Sequence, residues 1–176
     1  MSKLANFPIM FFAVVMGLGG LGIAYGRFSE LMGFGELGFI ILRGFILAVF
    51  VLILALYLAK TIKYFSKVKE EFSHPIKVNF FATIPISLLI LANLFQSGNA
   101  LIYGVCFYLG VVLQTYFSFH VIAFWINNNL EIKHSNPAWF IPIVGNLIVV
   151  IAAKSVDFWL WYYFAIGMFF GWFYLA

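Results

Sequence analysis

Long apolar stretches separated by short polar turns dominate the sequence. Residues 78–130 contain no Asp, Glu, Lys or Arg, and only the cluster Gln96-Ser97-Gly98-Asn99 interrupts their apolar character. Because a helix needs about 20 apolar residues to cross about 30 Å of hydrocarbon, this run predicts two membrane-spanning helices joined by a tight turn. The same pattern predicts six spans, at residues 7–25, 37–59, 80–95, 100–125, 139–153 and 156–173. We therefore expect an all-α, polytopic membrane protein.

Prolines mark a repeat with the period of one helical hairpin. The odd-numbered spans begin alike, with Phe7-Pro8-Ile9, His74-Pro75-Ile76 and Asn136-Pro137-Ala138. Proline suits the first turn of a helix, where its missing N–H would have no partner in any case. The recurrence in phase with the hydropathy predicts one transmembrane domain built from hairpins at residues 1–66, 67–127 and 128–176.

The odd-numbered and even-numbered spans differ in character. Pro85 and Pro142 lie inside the third and fifth spans, where each is expected to bend the helix and free a carbonyl that protein or water must satisfy. The first span has instead a face of small residues, which favours either close helix packing or room along an internal pore: Ala13, Gly17, Gly20 and Ala24. We expect kinked inner helices surrounded by longer, lipid-facing, even-numbered helices.

Composition and charge agree with a membrane protein. The chain is 65% hydrophobic and 9% charged, whereas soluble domains contain about 25% charged residues. Seven of the loop cations fall on one side of an alternating topology and two, Arg27 and Lys154, on the other; the seven are Lys3, Lys60, Lys63, Lys67, Lys69, Lys77 and Lys133. This bias predicts a plasma (inner) membrane protein with a cytoplasmic amino terminus. The first span is interpreted as a retained signal anchor.

The polar groups inside the spans are few. Arg43, Gln114 and His120 are the polar members noted in the even-numbered spans, and Cys106 is the lone cysteine. Arg43 has two possible interpretations: its side chain snorkels to the membrane interface, or it attracts anions to the outer mouth of a pore. His120 is expected to have a packing role. The sequence has no HExxH, CxxC, paired carboxylates or phosphate-binding glycine loop, so we predict no enzyme, cofactor, metal or nucleic-acid partner.

Two proline-containing segments carry a family resemblance. Residues 71–87 run from Glu71-Phe-Ser-His-Pro through Ala-Thr-Ile-Pro-Ile-Ser, and residues 135–146 read Ser-Asn-Pro-Ala-Trp-Phe-Ile-Pro-Ile-Val-Gly-Asn. Together with the preceding basic connection, they closely resemble the tellurite-resistance and C4-dicarboxylate transporter family, TehA and the slow-type guard-cell anion channels of plants. The resemblance covers essentially the whole chain.

The resemblance implies a ring of ten transmembrane helices in five hairpins, with inner odd-numbered helices around a pore. Members resemble passive anion channels, and bacterial channels of the family resemble homo-trimers. The family's occluding phenylalanine lies on the ninth helix, beyond this chain, and the usual Gly-x-Pro-x-Gly of the first helix is replaced by Ala13-Val14-Val15-Met16-Gly17. We expect this chain to be a truncated amino-terminal portion with about six of the ten helices.

The expected function is passive transport of small anions through a pore in the lipid bilayer. The candidate pore-lining or inner-helix residues come from periodicity and the resemblance: Phe12, Gly17, Phe81, Pro85, Phe140, Pro142 and Gly145. Passive flow is favoured over proton coupling because the apolar centres of the odd spans lack Asp, Glu and Lys. A non-conducting truncated subunit and an intramembrane enzyme are the alternatives.

Overall fold

A uniformly apolar segment in lipid must pair its backbone N–H and C=O groups with each other, because no water is available. This chain does so by forming helices. A computed structural model describes residues 4–127, 137–155 and 157–175. The helices are α1 (Phe12–Met32), α2 (Leu37–Lys63), α3 (Phe65–Phe72), α4 (Thr83–Leu94), α5 (Ala100–Asn127), α6 (Phe140–Ala152) and α7 (Leu160–Leu175). The prediction of an all-α, polytopic membrane protein is confirmed.

Four helical stretches in the described ranges are long and apolar enough to span a bilayer: Ile9–Met32, Leu37–Lys63, Lys77–Leu94 and Ala100–Asn127. Pro137–Ala152 and Leu160–Phe169 are shorter apolar helices. The first helix continues past the predicted end at residue 25, and Arg27 and Glu30 form an exposed i,i+3 ion pair of 3.1 Å on its last turns. It stops at Gly33, whose φ of 69° permits the left-handed cap.

Each odd-numbered span begins with a 3-10 helix that changes into an α-helix. The 3-10 helices Ile9–Phe11, Lys77–Ala82 and Pro137–Trp139 directly precede α1, α4 and α6. Pro85 and Pro142 lie in the first α-helical turn after this change. Since proline lacks an N–H and clashes with the carbonyl four residues earlier, it fits best where the hydrogen-bond pattern changes. The change of helix type thus comes just before each internal proline.

The helix α4 is the centre of the packing. It contacts α1, α2, α5 and α6, while α6 also contacts α5 and α7. Most of α4 is buried, whereas α2 and α5 leave rows of large apolar side chains exposed. Close approach to α4 depends on glycine: Gly19 of α1 lies against Ile90, and Gly110 of α5 lies against Leu88 and Leu89. The helices of the first and fifth spans, α1 and α6, therefore flank α4, the helix of the third span.

Candidate functional site

The seven predicted inner-helix residues occupy two kinds of environment. Gly17 is exposed, and a Cβ placed there would meet no atom within 4 Å. Phe140 is partly buried. The other five are buried against neighbouring helices: Phe12, Phe81, Pro85, Pro142 and Gly145. The pore-lining role of the set stays a prediction.

Phe12 and Phe81 pack on the same outer-helix side chain. The ring of Tyr57 lies 5.9 Å from that of Phe12 and 6.3 Å from that of Phe81, centroid to centroid and edge to face. Phe81 also lies 4.8 Å from Phe72. Edge-to-face aromatic pairs add stability beyond the area they bury. These two phenylalanines therefore join α1 and the third span to α2 and α3.

The small-residue face of α1 is open within the part of the chain that the structure describes. Ala13, Gly17, Gly20 and Ala24 are all exposed. The close packing of α1 is made on another side, where Gly22 lies against Ile46 and Leu94, and Gly26 against Phe39. The sequence pattern therefore identified a real face, but other glycines make the helix contacts.

A buried polar network joins α5 to α6 and was missed by the sequence analysis. Gln114 Nε2 donates to Pro142 O at 2.9 Å and to Ser118 Oγ at 3.0 Å. Asn146 Nδ2 also donates to Pro142 O, at 3.0 Å. Gly145 leaves room for the Gln114 amide. Gln114 belongs to an outer helix but points inward, because an isolated amide facing lipid would lose its hydrogen bonds.

Side chains of the third span, the fourth span and the turn between them donate hydrogen bonds to the carbonyls at the carboxyl-terminal end of α6. Asn93 Nδ2 donates to Ile151 O at 3.0 Å, and Gln96 Nε2 donates to Ala153 O at 3.0 Å. The hydroxyl of Tyr103 donates to Ala152 O at 3.3 Å. The last carbonyls of a helix have no intrahelical partner and carry its negative partial charge. These donors reduce that negative charge where the helix ends.

A cleft of about 580 Å³ opens at the same end of the molecule, which we call the cleft end, near residues 33–36 and 96–99. Its polar lining includes Arg27, Ser29, Glu30, Glu36, Arg43, Asn93, Gln96 and Ser97. Arg43 lies between two rings, with its Cζ 5.6 Å from the Phe39 centroid and 5.2 Å from the Phe95 centroid. Cation–π contacts of this kind stabilise a guanidinium partly removed from water.

The opposite end, the Lys-rich end, contains the connection of residues 60–77 and a buried ion pair. Lys60 Nζ lies 2.8 Å from Glu71 Oε2 and donates to Phe7 O at 2.8 Å. Tyr57 donates its hydroxyl proton to Glu71 Oε2 at 3.0 Å. The cluster joins the amino-terminal segment, α2 and α3 at one point. His120 packs nearby, with its ring 4.3 Å from that of Phe72.

The fold is that of a multi-pass helical membrane protein, in which the spans that begin with proline pack side by side. A family model described as voltage-dependent anion channel matches residues 6–176. The chain therefore belongs to the voltage-dependent anion channel family, and the resemblance found in the proline-containing segments is confirmed.

Relatives of this chain include proteins from a bacterium, a fungus and a plant. It is 28% identical over 139 residues to the tellurite resistance protein TehA homolog of Haemophilus influenzae, covering 78% of this chain and 42% of that protein. It is 26% identical over 167 residues to the malic acid transport protein of Schizosaccharomyces pombe, covering 88% and 37%. Identity to the guard cell S-type anion channel SLAC1 of Arabidopsis thaliana is 26% over 166 residues, covering 87% and 30%. The chain spans less than half the length of these relatives.

Proposed function

We propose that this chain forms part of a passive pathway for small anions across the plasma membrane. The observation that carries the proposal is membership of the voltage-dependent anion channel family across residues 6–176. Relatives named as an S-type anion channel, a malic acid transport protein and a tellurite resistance protein support the substrate class. Nitrate, chloride and small carboxylates are the anions to test, with C4-dicarboxylates and tellurite as further candidates.

We place the pathway along the open face of α1. Gly17 and Gly20 of α1 face open space. Phe12 of α1 and Phe81 of the third span instead pack on Tyr57 of α2, away from this open face. Small side chains leave width for a partly hydrated ion, which reduces the cost of crossing the hydrocarbon. No Asp, Glu, Lys, Arg or His occurs in α4 or α6, which supports uncoupled flow.

The test is anion flux into liposomes that contain the purified chain. Gly17→Leu is expected to reduce nitrate flux several-fold, because a large side chain enters the pathway. Gly44→Leu is the matched control: Gly44 lies on α2, also has no neighbour within 4 Å, and is proposed to face lipid. Equal flux through the wild type and Gly17→Leu, with equal insertion, would contradict this pathway. Phe140→Ala tests the predicted pore-lining role of Phe140 in the same assay, where loss of the partly buried ring is expected to raise flux.

A non-conducting membrane subunit is the second candidate function. Correctly inserted protein that conducts none of the tested anions would support this subunit role. Substrate turnover without flux would instead support the alternative of an intramembrane enzyme. Trimer formation, as implied by the family resemblance, is testable by cross-linking in the same liposomes.

The proposed orientation places the amino terminus and the Lys-rich end in the cytoplasm. Five lysines around the connection of residues 60–77 support it, since basic loops stay on the cytoplasmic side. In a Cys106→Ala background, Ser66→Cys and Ser97→Cys place single thiols at exposed positions of opposite ends. A membrane-impermeant maleimide applied to intact cells should label Ser97→Cys and leave Ser66→Cys unmodified. The reverse result would contradict the orientation.

A further inference from the structure

The guanidinium of Arg43 lies over two aromatic rings and makes no hydrogen bond within the described residues. The Phe39 and Phe95 rings lie 5.6 and 5.2 Å from its Cζ. Stacking on rings occupies the faces of the guanidinium plane, whereas its five N–H donors point outward in that plane. Within residues 4–127, 137–155 and 157–175, Arg43 makes no hydrogen bond or ion pair. Its donors are therefore available to a ligand.

The other charges of the cleft leave Arg43 as the available cation. Arg27 and Glu30 pair with each other at 3.1 Å. Glu36 lies at the amino-terminal end of α2, where the helix dipole favours a negative charge. Asn93 and Gln96 line the cleft and direct their amide nitrogens to the carbonyls of α6. The negative partial charge of the carbonyls at that helix end is thereby reduced.

Gly98 makes the position of the guanidinium possible. A Cβ at residue 98 would lie 2.8 Å from Arg43 Nη1 and 3.3 Å from its Cζ. A side chain in this turn would therefore push the guanidinium away from its seat between the rings. The turn Gln96-Ser97-Gly98-Asn99 thus shapes the cleft wall around Arg43 as well as joining two spans.

We propose that Arg43 is the binding residue of a site for a small planar oxyanion, of the nitrate or carboxylate class, in the cleft of about 580 Å³. A guanidinium matches two oxygens of such an anion with two parallel N–H donors, which a chloride ion cannot use in the same way. This inference deepens the proposed function and rests on it. The site concentrates the transported anion at the cleft end before it enters the membrane.

The experiment measures the thermal unfolding midpoint of delipidated protein in neutral detergent during titration with sodium nitrate, against sodium chloride at equal ionic strength. Ligand that binds only the folded state raises the midpoint with concentration. Nitrate should raise the midpoint of the wild type more than chloride does. Arg43→Gln should abolish the extra rise of the midpoint that nitrate gives over chloride. Arg43→Lys should reduce this rise several-fold, because an ammonium lacks the two parallel N–H donors of a guanidinium.

Glycine variants test the same site without removing the arginine. Gly98→Ala should weaken the nitrate response several-fold, whereas Gly44→Ala, one residue from Arg43 on the same helix and without a neighbour within 4 Å, should keep it. A nitrate-specific shift that survives unchanged in folded Arg43→Gln and Gly98→Ala overturns the proposal. Binding with no liposome flux would leave the site in place and contradict only the conduction.

Phosphate groups of lipids present the same anionic oxygens, so the titration is repeated in nanodiscs. In phosphatidylcholine alone, the nitrate response of the wild type should persist. If phosphatidylglycerol removes that response and co-purifies in an Arg43-dependent manner, a lipid headgroup occupies the site. That outcome overturns the assignment to a free oxyanion.

Discussion

Arg43 and Lys60 are cations of the same helix, α2, at opposite ends and in opposite surroundings. Lys60 is 1% exposed and contacts both the Glu71 carboxylate and the Phe7 carbonyl. Arg43 is partly exposed, stacks on two aromatic rings and has no carboxylate partner in the described portion of the chain. A buried charge needs a partner that compensates for lost water, whereas a charge beside a cleft can keep its donors for a ligand. The buried pair at the Lys-rich end therefore contributes to stability, whereas Arg43 at the cleft end is the residue that we propose binds an anion.

The largest expected effect comes from breaking the buried pair. Lys60→Met leaves the Glu71 carboxylate buried without its cation, which should lower the free energy of unfolding by about 3–5 kcal/mol. Titration with SDS in mixed micelles measures this change. The control is Lys67→Met, because Lys67 and Glu70 form a pair of the same 2.8 Å length whose side chains are 47% and 63% exposed. Its loss should cost about 0–1 kcal/mol.

The double variant Lys60→Met with Glu71→Gln sharpens this test. It removes both charges, so it should be more stable than Lys60→Met alone. Equal instability of the single and double variants would mean that packing, and not an uncompensated charge, dominates at the Lys-rich end.

The Gln114 network tests whether a buried neutral group behaves like the buried charge. Gln114→Leu removes the donor to Pro142 O, and we expect a loss of about 1–2 kcal/mol. Gly145→Ala should give a loss of similar size, because the added Cβ would meet the Gln114 amide. Gly104→Ala is the control and should give little loss, because a Cβ there would meet no atom within 4 Å. The same SDS titration measures all three. Additive losses in the pair Gln114→Leu and Gly145→Ala would argue against a shared contact.

Removing only the hydroxyl of Tyr57 should have a smaller effect. Tyr57→Phe keeps the aromatic contacts with Phe12 and Phe81 but deletes the hydrogen bond to Glu71. The free energy of unfolding should fall by about 1 kcal/mol, and Lys60 should still hold the carboxylate. A loss as large as that of Lys60→Met would show that the hydroxyl, and not the ammonium, compensates Glu71.

The smallest effect on stability is expected at Arg43. Arg43→Gln removes the cation–π contacts with both rings at a partly exposed site, which should cost about 0.5–1 kcal/mol in total. Its effect on anion binding should far exceed this effect on folding. A stability loss matching that of Lys60→Met would erase the contrast between the two ends of α2.

Much of the architecture was predictable because lipid restricts the choices. The charge-free run of residues 78–130 predicted two helices and the turn at Gln96–Asn99, and the structure has α4 and α5 on either side of it. The repeated prolines predicted where odd-numbered spans begin. The sequence could not predict the extension of α1 to Met32, because hydropathy falls at Arg27 while the helix continues through an ion pair.

The packing around the candidate site could not be predicted from the sequence, and α1 explains why. Gly19 and Gly20 are adjacent and chemically identical, yet Gly19 meets Ile90 and Gly20 meets open space. Successive residues of a helix point about 100° apart, so helix rotation decides which glycine packs. A polar residue such as Gln114 in an apolar span is expected to face protein and not lipid, but the sequence does not identify the partner that it meets, which is Pro142 O.

The sequence by itself determined the membrane environment, the helices, the proline-started repeat and the family, because backbone hydrogen bonding in lipid and hydrophobic length act locally along the chain. Only the tertiary structure decided that Lys60 is paired while Arg43 keeps its donors, and that Gln114 turns inward to Pro142. These outcomes depend on how neighbouring helices are rotated and which side chains from distant parts of the chain meet between them. Rotation and contact are properties of the packed helices together.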